Sequence, residues 1–235
     1  MIILFFLILN VGIFFLINKI NYYYNVYDLP NSSRKIHKNP TPTSGGLIIL
    51  LNLIFLYAVL FLNNIYNFTS NLIPFNQNIF LYFFLFFLVG YIDDKYNLKA
   101  LYKFLIISLV SLFLIFFNQE ILIKDFVFLN YQINFSSIYT SYIFTLFCFL
   151  SIINAFNMYD GINLQLSSLS FFILIILLFI NPNMQLFYIL LLALILFMFF
   201  NFNGSIFLGD SGSILIAVIL ALSFITFNKV NFIKT

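Results

Sequence analysis

Residues 79–95 read IFLYFFLFFLVGYIDDK: fourteen uncharged, mostly apolar residues, then Asp93, Asp94 and Lys95 in succession. Extended back to Phe75, the run Phe75–Ile92 is close to the roughly 20 residues that cross a bilayer as a helix. Seven more such runs fill the chain: Ile2–Ile17, Leu47–Leu62, Phe104–Phe117, Tyr139–Phe156, Leu164–Ile180, Gln185–Phe200 and Ile214–Phe227. Of the 235 residues, 63% are apolar and 7% charged, where about 25% charged is usual. No water-soluble core hides so much apolar surface, so the bilayer is the solvent for most of it. The same figures exclude a disordered chain. A net charge of only +3, with the charges scattered, excludes nucleic acid as a partner. The expected fold is an all-α integral membrane protein, one bundle of about eight transmembrane helices. It forms a single domain over residues 1–235. The first run lacks a basic leader and an Ala-x-Ala-like cleavage site, so it reads as a retained helix. Cys148 is the one cysteine and has no partner for an internal disulfide.

The few charges are unevenly placed. Loops taken alternately, beginning after the first helix, span 18–46, 93–103, 157–163 and 201–213. They hold Lys19, Arg34, Lys35, Lys38, Lys95, Lys99 and Lys103, and the opposite side holds Lys124, Lys229 and Lys234. This excess places the first set in the cytoplasm and the N-terminus outside. Asp28, Asp93, Asp94, Asp160 and Asp210 share that side, with Glu120 and Asp125 opposite. An unpaired carboxylate against a membrane helix end is costly, so a cation is its natural partner. On the other side, the partial alternation in Phe126–Phe135 reads equally as a short β-hairpin at 120–135 or as an irregular loop.

Four motifs lie on the charged side. The first runs from Tyr27-Asp28-Leu29-Pro30 through Arg34-Lys35-Ile36-His37-Lys38 to Gly45-Gly46. Its prolines and glycines impose a non-helical path. Arg34, Lys35, His37 and Lys38 are candidate phosphate ligands, and the same residues suit a topogenic loop on anionic lipid. The second is Gly90-Tyr91-Ile92-Asp93-Asp94-Lys95, with Lys99 and Lys103 beyond it. Adjacent helical residues point about 100° apart, so the two carboxylates converge only if the helix stops with the apolar run at Ile92. Such a pair suits Mg²⁺ or a general base, or else a helix boundary with local ion pairs. The third, Asn154-Ala155-Phe156-Asn157-Met158-Tyr159-Asp160-Gly161-Ile162-Asn163, puts Asn154, Asn157 and Asp160 on one helix stripe. A turn or polar packing between helices would use the same residues. The fourth, Phe207-Leu208-Gly209-Asp210-Ser211-Gly212-Ser213, precedes the last apolar run. It reads as an N-cap by Asp210 or Ser211. It also reads as a helix start that presents N–H groups and a carboxylate to a metal-bound phosphate.

In this order and on one face, the motifs resemble those of the polyprenyl-phosphate N-acetylhexosamine-1-phosphate transferase superfamily. That superfamily includes undecaprenyl-phosphate GlcNAc-1-phosphate transferases, phospho-MurNAc-pentapeptide transferase and the eukaryotic dolichyl-phosphate enzyme. The resemblance spans Asp28 to Ser213. It implies transfer of an N-acetylhexosamine-1-phosphate from a UDP-N-acetylhexosamine to polyprenyl (undecaprenyl) phosphate, with UMP leaving. The setting it implies is the cytoplasmic face of a bacterial inner or plasma membrane, and the purpose is cell-envelope polysaccharide. It also implies Mg²⁺, with Mn²⁺ as a substitute, held on the diphosphate by Asn157 and Asp210. By the same resemblance Asp93 is the base for the lipid phosphate or positions it, and Asp94 and Asp160 complete the catalytic site. Arg34, Lys35, His37, Lys38, Lys103, Asn154 and Asn163 are then substrate-binding, and Phe207 stacks on uracil. Asn163 and Leu164 depart from the second Asp-Gly that the family often carries in its third motif.

Two other classes compete. A transporter would place ionisable groups at mid-membrane or interrupt helices in matching halves, whereas these acids lie at one face. A non-catalytic relative would keep the fold without turnover. Resembling enzymes usually carry further helices and a His-containing cytoplasmic loop, and this sequence ends after its eighth run. The expectation is weak or absent turnover by this chain alone, with an apolar groove filled by lipid, by a second copy in a homodimer, or by a further part encoded elsewhere.

Overall fold

The computed structural model describes residues 2–30, 39–66, 76–128, 131–135 and 137–232. Among them are eight α-helices: α1 (Ile2–Tyr24), α2 (Gly45–Tyr66), α3 (Ile79–Tyr96), α4 (Ala100–Phe117), α5 (Ile138–Tyr159), α6 (Gln165–Ile180), α7 (Gln185–Phe202) and α8 (Gly209–Phe232). All but α3 and α6 are long and apolar enough to cross a membrane. α6 has 16 residues, and α3 carries Asp93, Asp94 and Lys95 in its last turn. The chain is an all-α membrane protein, and each expected apolar run coincides with one helix.

Helix ends differ from the expected ones where charges are involved. α3 does not stop at Ile92. It continues to Tyr96 and closes at Asn97, whose left-handed φ of 51° lets its N–H reach the Asp93 carbonyl. Asp93 and Asp94 are therefore helical neighbours that point apart, and they do not converge on one point. α8 begins at Gly209 and not at Ile214, so the fourth motif forms its first turn. α1 runs on past Lys19 to Tyr24.

α8 is the central post of the bundle. Its apolar stretch is 78% buried, against 22% for α1 and for α5. It packs along α3 and also meets α2, α5 and α6. Glycine sets the close approaches. A Cβ on Gly90 of α3 would lie 2.4 Å from the Ser211 Cα, and one on Gly46 of α2 would lie 2.5 Å from the Gly212 nitrogen. α2, α3 and the start of α8 thus meet backbone to backbone, a small-residue contact common between membrane helices.

Two segments beside this junction are stitched together. The Phe207 N–H donates to the Pro42 carbonyl at 2.9 Å. Gly45 and Gly46 in turn donate to the carbonyls of Phe207 and Leu208 at 3.0 and 3.1 Å. A two-residue antiparallel pair, β1 (Tyr27–Asp28) with β2 (Thr41–Pro42), closes the base of the first motif. The first and fourth motifs are neighbours for these reasons. At the other end of α4, β3 (Asp125–Phe128) pairs antiparallel with β4 (Tyr131–Asn134), Asp125 opposite Asn134. The expected strand pairing within 120–135 is therefore present between Asp125–Phe128 and Tyr131–Asn134, preceded by a 3-10 turn at Gln119–Ile121.

Candidate active site

Lys103 lies in the first turn of α4, and the short turn after α3 returns it to the side of Asp93. Its ammonium nitrogen is 2.7 Å from Asp93 Oδ2, 2.8 Å from Asp210 Oδ1 and 2.9 Å from Asn157 Oδ1. An ammonium has three donors and no acceptor, so these three oxygens use its full capacity. Each oxygen comes from a different helix: α3, α8 and α5. The Asn157 amide nitrogen donates to Asp210 Oδ1 and, at 2.8 Å, to Ser213 Oγ. Asp93 Oδ1 accepts the Leu98 N–H at 2.8 Å. Asp93 is buried, while the Asp210 side chain keeps 34% of its surface exposed. The cluster therefore opens on the Asp210 side.

Asp94 faces the other way. Its Oδ1 accepts the Asp210 N–H at 2.7 Å and its Oδ2 accepts the Ser211 N–H at 3.1 Å. These are free donors of the first turn of α8, and a carboxylate there also meets the positive end of the helix dipole. The start of α8 is thus capped from α3, not by its own Asp210 or Ser211. Two of the N–H groups read from sequence as phosphate donors already hold Asp94. The Tyr24 hydroxyl of α1 lies 3.3 Å from Ser211 Oγ and ties a further helix to this turn.

The remaining candidates surround the cluster to different degrees. Asp160 follows the last residue of α5. Burial first, and then the negative charge of Asp210, raise its pKa to about 7. The Asn154 amide donates to the Leu150 carbonyl of its own helix at 2.8 Å, outside the cluster. Asn163 is exposed, and Phe207 is half-buried in the loop that Pro42 and Gly45 stitch. Arg34, Lys35, His37 and Lys38 lie outside the described residues.

A family model described as glycosyl transferase family 4 matches residues 77–228, well over half of the chain. The chain belongs to this family. The match supports the superfamily that the motifs resemble, and with it a transferase working in a membrane. It runs from just before α3 to within α8, and so contains every residue of the Lys103 cluster. A comparison with curated proteins gave no match.

The donor set of this glycosyl transferase suits a hard divalent cation. Among the described residues no group of three or more His, Cys, Asp or Glu gathers to hold a metal. The oxygens here come from two carboxylates and one amide, all directed at one positive charge. Mg²⁺ takes oxygen ligands, and it commonly takes only one or two from protein carboxylates with the rest from phosphate and water. Asp210 and Asn157 can meet that need, and the Lys103 ammonium marks where a cation is stable.

Several residues of the site are not evident from motif reading. Ser213 ends the fourth motif with no role evident from its sequence, yet its Oγ accepts the Asn157 amide. Gly46 and Gly90 carry no chemistry but permit the helix contacts that assemble the site. Small residues at one depth of three runs were the available signal for them. Nothing in the sequence points to Tyr24, because its partner is 187 positions away.

Proposed function

We propose that this glycosyl transferase moves an N-acetylhexosamine-1-phosphate from a UDP-sugar to a polyprenyl phosphate such as undecaprenyl phosphate, releasing UMP. The reaction takes place at the cytoplasmic membrane face, with the N-terminus outside, and serves cell-envelope polysaccharide synthesis. The observation that carries this reading is the convergence of Asp93, Asn157 and Asp210 oxygens on one cation at one end of the bundle. A phosphoryl transfer asks little covalent chemistry of a protein and much charge neutralisation and alignment.

The residues divide the work. Asp210 and Asn157 would hold Mg²⁺, or Mn²⁺ in its place, which when bound would supply positive charge against the diphosphate. Asp93 positions the acceptor phosphate and takes any proton it carries. Asp94 holds the first turn of α8, and so Asp210, in place. Lys103 offers an ammonium to phosphate oxygens, and the first-motif cations Arg34, Lys35, His37 and Lys38 add positive charge for the same group. Asp160, Asn154, Asn163 and Phe207 line the nucleotide side, with the Phe207 ring for uracil.

The test is UMP release by the purified, folded chain given undecaprenyl phosphate, Mg²⁺ and each common UDP-N-acetylhexosamine in turn. UMP should form with at least one donor and only when the lipid acceptor is present, slowly with the chain alone and faster with a co-expressed C-terminal segment of a resembling enzyme. Absence of UMP with every donor, in both Mg²⁺ and Mn²⁺ and with that segment present, overturns the proposed reaction.

A further inference from the structure

We propose that Lys103 is the internal counter-ion of the metal site. Its ammonium occupies the oxygen cage before a divalent ion enters and is driven off the Asp210 and Asn157 oxygens when one does. The inference rests on the metal reading above and deepens it. The observation behind it is occupancy. One nitrogen makes three contacts of 2.7 to 2.9 Å, to the same two residues assigned to the ion and to Asp93. Mg²⁺ sits at about 2.0–2.1 Å from its oxygens. A dication at that distance from Asp210 Oδ1 and Asn157 Oδ1 cannot share them with an ammonium at hydrogen-bond distance without strong repulsion. One of the two cations has to leave.

The geometry also says why a lysine stands there. Asp93 is buried, and Asp94 and Asp210 lie on either side of the α8 start. Without a cation Asp93 and Asp210 would face each other with no positive charge between them, an uncompensated arrangement for a partly buried pair. Lysine meets that need reversibly, because its charge is carried on a flexible four-carbon stem. Lys103 can swing without moving α4, while Asp93 and Asp94 stay fixed by the N–H groups of Leu98, Asp210 and Ser211. Asp210 is the most exposed of the two carboxylates that Lys103 bridges, which gives an arriving ion its entry side. The displaced ammonium would remain beside the cage, within reach of phosphate oxygens on the ion. Lys103 is on this account a positioning residue whose place depends on the metal.

The experiment uses Mn²⁺ alone as the probe, with the purified chain in detergent and free Mn²⁺ followed by its paramagnetic resonance signal. Lys103→Met keeps the stem and removes the charge. It should bind Mn²⁺ more tightly than wild type by on the order of tenfold or more, and its thermal midpoint should rise more on metal addition. A merely structural lysine would lower stability and leave metal affinity unchanged. A second measurement needs no variant: reductive methylation of the wild-type protein, read at Lys103 by mass spectrometry. Labelling should increase when Mn²⁺ saturates the site. Equal Mn²⁺ affinities in the two proteins, or Lys103 labelling unchanged by bound Mn²⁺, overturns the counter-ion role and leaves the metal site standing. Failure of both proteins to bind Mn²⁺ overturns the metal site and this inference together. If Lys103→Met does not fold, the labelling result on the wild type decides alone.

Discussion

Two of the buried polar groups in this apolar bundle are built on opposite principles. Between α1 and α2, Asn10 and Asn52 exchange amide hydrogen bonds of 2.9 and 3.2 Å. Each also donates to a carbonyl in its own helix, Phe6 for Asn10 and Ile48 for Asn52. The pair is neutral, reciprocal and satisfied from within. At the α8 start, Asp93 and Asp210 share the single ammonium of Lys103, while Asp94 beside them accepts the first N–H groups of α8. There the hydrogen bonds are largely made but the charges do not balance. Polar pairing between membrane helices is ordinary glue, worth about 1 kcal/mol. A surplus of carboxylates is not glue, and on the function proposed above it is the place where a cation from outside would bind. On that reading the difference separates a structural polar contact from a functional one without reference to any motif.

The comparison can be broken or sharpened by mutation. The largest effect is expected at Asp210. Asp210→Asn should lower Mg²⁺-dependent UMP release by about 10²–10³-fold, the usual scale for a lost transition-state charge contact. The thermal midpoint should move little, since the amide can still bond Lys103 and Asn157. Turnover equal to wild type at limiting Mg²⁺ would remove Asp210 from its role.

Gly90→Ala comes next and acts on both counts. Its new Cβ would meet the Ser211 backbone at 2.4 Å, so α8 must shift against α3. Overpacking of this kind costs about 1–3 kcal/mol. A displacement near 1 Å at the site can cost about 10²-fold in rate. A variant with wild-type turnover and midpoint would show that the helix contact is slack.

The amide pair should behave in the opposite sense. Asn10→Ala leaves the Asn52 amide without its cross-helix partner and should lower stability by about 1 kcal/mol, with turnover per folded molecule unchanged. Replacing Asn10 and Asn52 together by leucine should recover most of that loss, because no polar group is then stranded. A drop in turnover at constant folded fraction would mean that this pair also serves the site.

The smallest effect is a pH dependence at Asp160. Burial and the Asp210 charge hold its folded pKa at about 7, above the unfolded value of about 3.9. The folded state then binds the proton more tightly than the unfolded one. Its stabilising contribution is full below the unfolded value and is lost as pH rises through about 7. With chelator present, Asp160→Asn should flatten the fall in thermal midpoint across that window. An unchanged slope would place the titration elsewhere.

Much of this molecule was legible from composition and spacing. Uncharged runs of near-membrane length located every helix, because in a bilayer hydrophobic length and helix length are the same constraint, but not the helix ends that carry polar residues: α1 runs on to Tyr24 and α8 starts at Gly209. Alternation of loops put Asp93, Lys103, Asn157, Asp160 and Asp210 at one end of the bundle before any contact was known. Three-residue spacing put Asn154, Asn157 and Asp160 on one stripe. What each group does there was decided only by the tertiary structure. Asp93 and Asp94 are neighbours in sequence, yet one holds Lys103 and the other caps α8, because α3 stays helical through both and turns them apart. Asn154 and Asn157 share a stripe, yet only Asn157 reaches across to α8. Lys103 is one of five candidate substrate-binding cations in the sequence, and only the α3–α4 turn that folds it back makes it the centre of the cluster. The approach that makes all this possible depends on Gly46 and Gly90, whose missing side chains have meaning only when Gly212 and Ser211 lie against them. Sequence carries local periodicity and polarity, but which faces meet, and how closely, is a property of helices packed together.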